Sequence, residues 1–544
     1  MKFKQITIIM TGILLVALIL RIFMLWQVPL YGDELTIALD AKSLLQTGKD
    51  QLGDYFPLTF KMGAGRPAGY VYSIIPFVAL FGPSEFGVRA LSIISGLGLV
   101  LLMFYLGRKL INEKAGLAAA FLTAISPWDI NLSRGGFEAH LALFLTVAGV
   151  GVFLKSKTSP WLLLITALCF GVAIHTYPTY KVTLPLLLLL MFWYKGDWRQ
   201  YLQKKVLPYS LSALLILAVF GVLAISQTFG ANSEQRFLAI NAFSQNQLEQ
   251  DLIQKVNSDR TLSNLPENLK PLFYNKSNEY VFLLGENYLN NFSLDFLFVH
   301  GDRNPRHNMS TMGEFYLIEI ILMILGLVYL IRNHIREFWF LIIWVLLAPI
   351  PTTLLLESHA LRNSLMMPPL ILLSAAGLYY LWDLFVNKKI YWPLILVGVV
   401  FLIQFAFFAE RLYFLAPNEL SRFWSYPAKL ASETVLSEKS DYDFIILSDK
   451  IDNIEYAYPS YNHVSPNLVI SQNQQRTKLG DLQFKKFGNV YIGQIPDSQI
   501  NDFINNLNGS VLFIGSSSER QNVENYQILS GKDKQDALIV KKKT

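Results

Sequence analysis

The chain has 544 residues, of which 53% are hydrophobic and only 16% are charged, and its net charge is +6. Ordinary soluble domains carry roughly 25% charged residues, so the composition excludes a soluble enzyme and fits a multispanning membrane protein. The modest positive charge follows from basic loops rather than nucleic-acid binding, because no Lys/Arg stripe is interleaved with aromatics.

From the N-terminus, Met1-Lys-Phe-Lys4 opens onto an apolar run reaching Trp26. The run is about 20 residues long with no small-x-small cleavage site after it, which predicts a retained first helix rather than a signal peptide. Further windows fall near 86–107, 115–130, 137–154, 160–176, 180–194, 206–226, 314–331, 337–355, 364–384 and 391–409. Spans need about 17–25 residues, so the expectation is about eleven crossings, give or take two. The apolar run 68–82 is short and reads as a half-span or interfacial helix. Cys169, the single cysteine, excludes an internal disulfide and a Cys-based metal site.

Basic residues fill alternate connections: Lys2 and Lys4; Arg108, Lys109 and Lys114; Lys155 and Lys157; Lys195, Arg199, Lys204 and Lys205; Arg332 and Arg336; Lys388 and Lys389. The positive-inside rule makes these cytoplasmic and puts loops 27–85 and 227–313, the turn 356–363 and the tail outside. In the tail, the runs Phe444-Ile-Ile-Leu447, Val490-Tyr-Ile492 and Val511-Leu-Phe-Ile514 sit among polar residues. They read as strands of a small soluble α/β domain. The expected fold is thus a polytopic α-helical membrane domain over 1–410 and an extracytoplasmic α/β domain over 411–544. No internal repeat is visible.

Ionisable groups at a membrane interface are costly and so become candidates for function. Asp33 and Glu34 follow the first span and precede a stretch, Leu35 to Leu45, that looks amphipathic. They suit either a helix cap or a base that takes a proton from a hydroxyl. Arg66 lies in Gly63-Ala-Gly-Arg-Pro-Ala-Gly-Tyr70, an irregular segment from which a guanidinium can hold a phosphate bidentately or snorkel to headgroups. Glu138 enters the fourth span after Ser133-Arg-Gly-Gly-Phe137, and His175 sits in a turn that can line the same cavity. Asp302, Arg306 and His307 belong to the charged run His300-Gly-Asp-Arg-Asn-Pro-Arg-His307, and Glu357, His359 and Arg362 to Glu357-Ser-His-Ala-Leu-Arg362. Arg306 and Arg362 are further candidate phosphate ligands. The Asp, Glu and His set suits a divalent metal, although no spacing is diagnostic, and metal dependence is left undecided.

Several of these pieces resemble the GT-C glycosyltransferases of the protein O-mannosyltransferase and aminoarabinose-transferase type. They are Tyr31-Gly-Asp-Glu34, Gly65-Arg-Pro67, Phe81-Gly-Pro-Ser-Glu-Phe-Gly-Val-Arg-Ala90, Ile125-Ser-Pro-Trp128, Ser133-Arg-Gly-Gly-Phe-Glu138 and His359-Ala-Leu-Arg362, within residues 1 to 410. The resemblance implies inverting transfer of a sugar from a polyprenyl-phosphate carrier to a hydroxyl of a lipid, glycan or protein, outside the plasma membrane. By position, Asp33 matches the family's catalytic aspartate, with Glu34 beside it. Glu138 matches a second acidic residue, and Arg66 falls where the aminoarabinose-type enzymes carry Lys. A transporter or flippase of lipid-linked sugars would show paired broken helices and internal repeats. A non-catalytic envelope assembly protein would leave the charged groups of the mouth without a task.

Overall fold

Each apolar window of the sequence coincides with a helix in the computed structural model, which describes residues 3–62, 65–228, 246–354 and 358–543. Among the described residues, seven helical segments are long and apolar enough to cross a membrane: Phe3–Gln27, Glu85–Leu110, Glu138–Lys155, Leu207–Gln227, Ile335–Thr353, Ser364–Val386 and Trp392–Glu419. The other four windows form shorter helices of 13 to 16 residues, so about eleven windows yield seven full-length spans.

We label the helices of the first half α1 (Phe3–Ile22), α2 (Gly32–Thr47), α3 (Gly69–Phe81), α4 (Glu85–Leu110), α5 (Glu113–Ile125), α6 (Pro127–Arg134), α7 (Glu138–Lys155), α8 (Leu162–Ile174), α9 (Tyr180–Lys195) and α10 (Leu207–Thr228). Their boundaries follow local chemistry. Ser84 and Asn112 cap α4 and α5 by accepting backbone N–H groups, and Ser126 caps α6, which has Pro127 at its first position. The short run 68–82 is the 13-residue α3.

Small residues let helices approach closely, as lipid-embedded bundles require. An added Cβ at Gly326 would lie 2.0 Å from Leu373 O, and one at Gly377 would lie 1.9 Å from Leu322 O, so Ile318–Asn333 and Met367–Val386 touch backbone to backbone. On the outside, Leu214, Leu215 and Val222 of α10 and Ile395, Leu402 and Phe407 of Trp392–Glu410 are exposed. Such a surface suits hydrocarbon, not water.

The tail forms a seven-stranded sheet in the order β4-β5-β6-β3-β7-β9-β8. The three apolar runs anticipated as strands are its centre. They are β3 (Phe444–Ser448), parallel to both β6 (Val490–Gly493) and β7 (Val511–Ser516). Parallel strands covered on both faces read as continuous apolar runs. The antiparallel strands β4 (Thr477–Leu479), β5 (Leu482–Phe487), β8 (Gln527–Ser530) and β9 (Asp536–Lys543) carry more polar residues and were not anticipated.

This unit packs on the bundle through α2. Lys42 Nζ donates to Val464 O at 2.9 Å, the Leu30 N–H donates to Tyr461 Oη at 3.0 Å, and Lys429 pairs with Glu85 at 2.7 Å. With the tail covering it, α2 is buried from Glu34 to Leu44. The stretch Leu35 to Leu45, which looks amphipathic in sequence, is therefore enclosed as far as Leu44 by a second protein layer.

Candidate active site

Two helix starts and one hairpin bring charged residues together. The Tyr31 N–H donates to Glu34 Oε2 at 3.3 Å, closing a capping arrangement that starts α2 and leaves Asp33 in its first turn. Glu138 opens α7 in the same dipole-favoured position. Arg66 belongs to a hairpin, β1 (Thr59–Phe60) with β2 (Arg66–Pro67), whose turn carries Gly65 at φ +84°. Gly63 and Ala64 of this segment lie outside the described residues.

The Arg66 guanidinium binds three partners. Nη2 is 2.8 Å from Asp33 Oδ1, Nε is 2.8 Å from Glu138 Oε1, and Nη1 donates to Thr36 Oγ1 at 2.8 Å. The side chains of Arg66, Glu138 and Asp33 are 3%, 15% and 58% exposed, so the cation is closed off and the Asp33 carboxylate faces solvent. Burial opposes the Arg66 charge, but Glu138, Asp33 and Asp40 outweigh it and hold its pKa above the ordinary value. Arg66, read from the sequence as a candidate phosphate ligand, thus clamps two carboxylates.

Glu34 has a different job from its neighbour. Its oxygens accept from Arg89 Nε at 2.7 Å and Nη2 at 2.6 Å, and from the Gly136 N–H at 2.7 Å. Arg89 also donates to the Val28 and Pro29 carbonyls, and both side chains are fully buried. The pair ties the start of α2 to α4 and to the α6–α7 connection. That position corrects the grouping of Glu34 with the catalytic residues. Arg89 was quoted only inside a motif, yet a cation in an apolar helix is itself a signal. Sequence reasoning also missed Arg21, Asp129 and His140, a fully buried network in which Asp129 binds both Arg21 and, at 2.9 Å, His140 Nε2.

His175 turns away from the cluster. Its ring nitrogens contact Gln227 Oε1 at 2.9 Å and the Phe220 carbonyl at 3.0 Å, which fastens the α8–α9 turn to α10. This corrects its placement in the cavity. Glu357 lies outside the described residues. Arg362 is half-buried and, among the described residues, has no ion pair or hydrogen bond; it does not line the large cavity described next.

A cavity of about 990 Å³ opens beside the cluster, lined by Asp302, Arg303, Arg306, His359 and Phe423 among others. Arg306 donates to the Phe423 carbonyl at 2.9 Å and lies 5.7 Å from the centre of the Tyr31 ring. Tyr31 packs on Phe137, and Phe137 on His307, so one aromatic layer separates the carboxylate clamp from the cavity wall.

On that wall, Asp302 Oδ2 accepts the Ala360 N–H at 2.7 Å and faces His307 Nδ1 at 3.1 Å and His359 Nδ1 at 3.7 Å. Burial pushes the Asp302 pKa up, but the His307 hydrogen bond, the two neighbouring imidazoles and the Asn304 N–H outweigh it and hold it at about 2. Burial, reinforced by His307, pushes His359 well below the ordinary imidazole range. The charged run at 300–307 is thus divided: Asp302 and His307 are buried, while His300 and Arg303 stay exposed around Asp295.

Residues 66–225 match the family model of dolichyl-phosphate-mannose-protein mannosyltransferases. The fold is similar to that of ArnT from Cupriavidus metallidurans, solved bound to undecaprenyl phosphate, with a TM-score of 0.54 and 12% identity over 100% of this chain and 98% of that one. It is also similar to the archaeal oligosaccharyltransferase AglB from Archaeoglobus fulgidus, solved with an inhibitory peptide and a dolichol-phosphate. There the TM-score is 0.50 and the identity 14%, over 84% of this chain; the match spans 64% of AglB's length. No curated protein matches the chain in sequence. The chain has the fold of the GT-C membrane glycosyltransferases, as its motifs foretold.

Proposed function

We propose that the protein transfers a sugar from a polyprenyl-phosphate carrier to an acceptor hydroxyl at the extracytoplasmic face of the plasma membrane, with inversion. The observation that carries this reading is the half-exposed Asp33 carboxylate, held through one oxygen by a buried Arg66, with the Tyr31 and Phe137 layer between this clamp and a cavity whose lining includes Arg303 and Arg306. Among the described residues, Asp33 Oδ2 accepts no hydrogen bond and is free to take a proton. The family match and the polyprenyl phosphates bound to the similar structures support the donor class.

In this reading the acceptor hydroxyl gives its proton to Asp33 Oδ2 as its oxygen attacks the anomeric carbon. The bond from that carbon to the phosphate oxygen breaks, and the electron pair leaves with the polyprenyl phosphate. Arg306, and Arg362 where the lipid phosphate reaches it, offset the growing negative charge. Arg66 and Glu138 position Asp33. The acceptor is a lipid, glycan or protein.

The orientation rests on charge. Arg108 and Lys109 end α4, Lys155 ends α7 and Lys195 ends α9, whereas the Asp33–Arg66–Glu138 clamp lies at the opposite ends of α4 and α7. The positive-inside rule then assigns the clamp to the outside. Purified protein in proteoliposomes, given a panel of synthetic polyprenyl-phospho-sugars, should release or transfer the sugar from at least one donor. Failure with every donor, alongside an active control enzyme, would remove the proposal.

A further inference from the structure

We propose that Asp302, His307 and His359 form a zinc site, which staples the loop before Ile318–Asn333 to the loop before Met367–Val386 at the cavity wall. The three candidate ligand atoms lie within 4.8 Å of one another. Bonds of about 2.0–2.1 Å in a tetrahedral zinc site put ligand atoms roughly 3.3 Å apart. The Asp302–His307 and Asp302–His359 separations, 3.1 and 3.7 Å, fall on either side of that value. Closing all three separations, the two imidazoles' included, to that value completes the geometry.

His359 Nδ1 carries the argument beyond a chance cluster. The residue is only 9% exposed, and this nitrogen is buried with no hydrogen-bond partner among the described residues, although it faces the Asp302 carboxylate. Burying such a group unpaired is costly. A cation bound between the three ligand atoms satisfies it.

The surroundings hold the ligands as outer partners do at metal sites. The Ala360 N–H fixes Asp302 Oδ2, the Asn304 N–H donates to Oδ1 at 2.8 Å, and the Asp302 N–H donates to Glu314 Oε1 at 3.0 Å. Two imidazoles and one carboxylate suit zinc better than magnesium or calcium, which prefer all-oxygen shells. Asp302 and His359 both line the cavity, which leaves a fourth position open to water. The site stands independently of the proposed transfer reaction.

The test uses the full-length protein in detergent, stripped with a chelator and titrated with Co²⁺ as a visible probe. The expected result is one equivalent of four-coordinate cobalt per chain, displaced by Zn²⁺. His307→Gln and His359→Gln should each weaken Zn²⁺ binding more than about 100-fold, beyond the about 10–100-fold typical of an outer-partner change. His300→Gln, on the same loop but paired with Asp295 outside the cluster, should leave binding unchanged. X-ray absorption at the zinc edge of the wild-type protein needs no variant and should show imidazole scattering. Absence of stoichiometric binding, a shell without imidazole, or wild-type affinity in both histidine variants would overturn the site.

Discussion

Asp33 and Glu138, from the first turns of two different helices, bind one guanidinium, that of Arg66, at 2.8 Å each. Two carboxylates on one buried cation keep a net negative charge at the mouth of the bundle, and Asp33 is the partner that meets solvent. In the proposed reaction this separates the base, Asp33, from Arg66 and Glu138, which aim it.

Arg66→Met should therefore damage both folding and activity. Removing one partner of a buried pair costs about 3–5 kcal/mol, and exposure of Asp33 puts the loss at the lower end. Arg66→Lys keeps the charge but not the fork that reaches two carboxylates and Thr36. It should lower the thermal midpoint less than Arg66→Met while reducing transfer at least about tenfold, because a misaimed base loses much of its roughly 10²–10⁴-fold effect. Thermal unfolding in detergent and initial transfer rates check both.

Glu34 and Asp33 are neighbours in sequence with opposite expected phenotypes. Glu34→Gln leaves the fully buried Arg89 without its carboxylate and should cost about 3–5 kcal/mol. Asp33→Asn breaks a pair whose acid is largely exposed and should cost no more than about 1 kcal/mol. Equal losses of thermal midpoint in the two variants would contradict the assignment.

Asp40, buried beneath the clamp, predicts a pH dependence. Burial raises its pKa from 3.8 to about 7, against the opposing Gln51 hydrogen bonds and the Arg66 charge. The folded state then holds the proton more tightly than the unfolded chain does. Its contribution is fully present below 3.8 and is lost as pH rises to about 7, by at most about 1.4 kcal/mol per pH unit. Asp40→Asn stays neutral, so it should raise the thermal midpoint at pH 8 relative to wild type and change it little at pH 4. Melting curves across that range test the sign.

Gly69 fixes the distance between the Arg66 hairpin and the α8–α9 turn. Its N–H donates to His175 O at 2.9 Å, and an added Cβ would stand 2.8 Å from that oxygen and 2.3 Å from Thr176 Oγ1. Gly69→Ala should cost about 1–3 kcal/mol through overpacking. By displacing Arg66 it should also reduce transfer by more than the stability loss explains, as measured at a temperature where the variant remains folded.

The helices were legible because a bilayer-length apolar window is a strong and local signal, and the central strands because burial on both faces leaves unbroken apolar runs. The strand β9, which lies between β7 and β8, was not legible, since its Lys541-Lys-Lys543 end hides an apolar stretch. Within the site, the sequence pointed to Asp33, Arg66 and Glu138 as outer polar groups but could not tell which would be enclosed. Burial of Glu34 depends on Arg89, 55 positions away, and burial of α2 on the tail. The approach of His359 to Asp302 links two loops 57 residues apart and leaves no trace in local spacing.

Asp33 as the general base is the central claim, and Asp33→Asn tests it most directly. The measurement is single-turnover transfer from a polyprenyl-phospho-sugar by wild-type and Asp33→Asn proteins matched for insertion and thermal midpoint. Loss of a general base predicts a rate lower by at least about 10²-fold with donor binding retained. An Asp33→Asn protein that transfers at the wild-type rate would contradict the account.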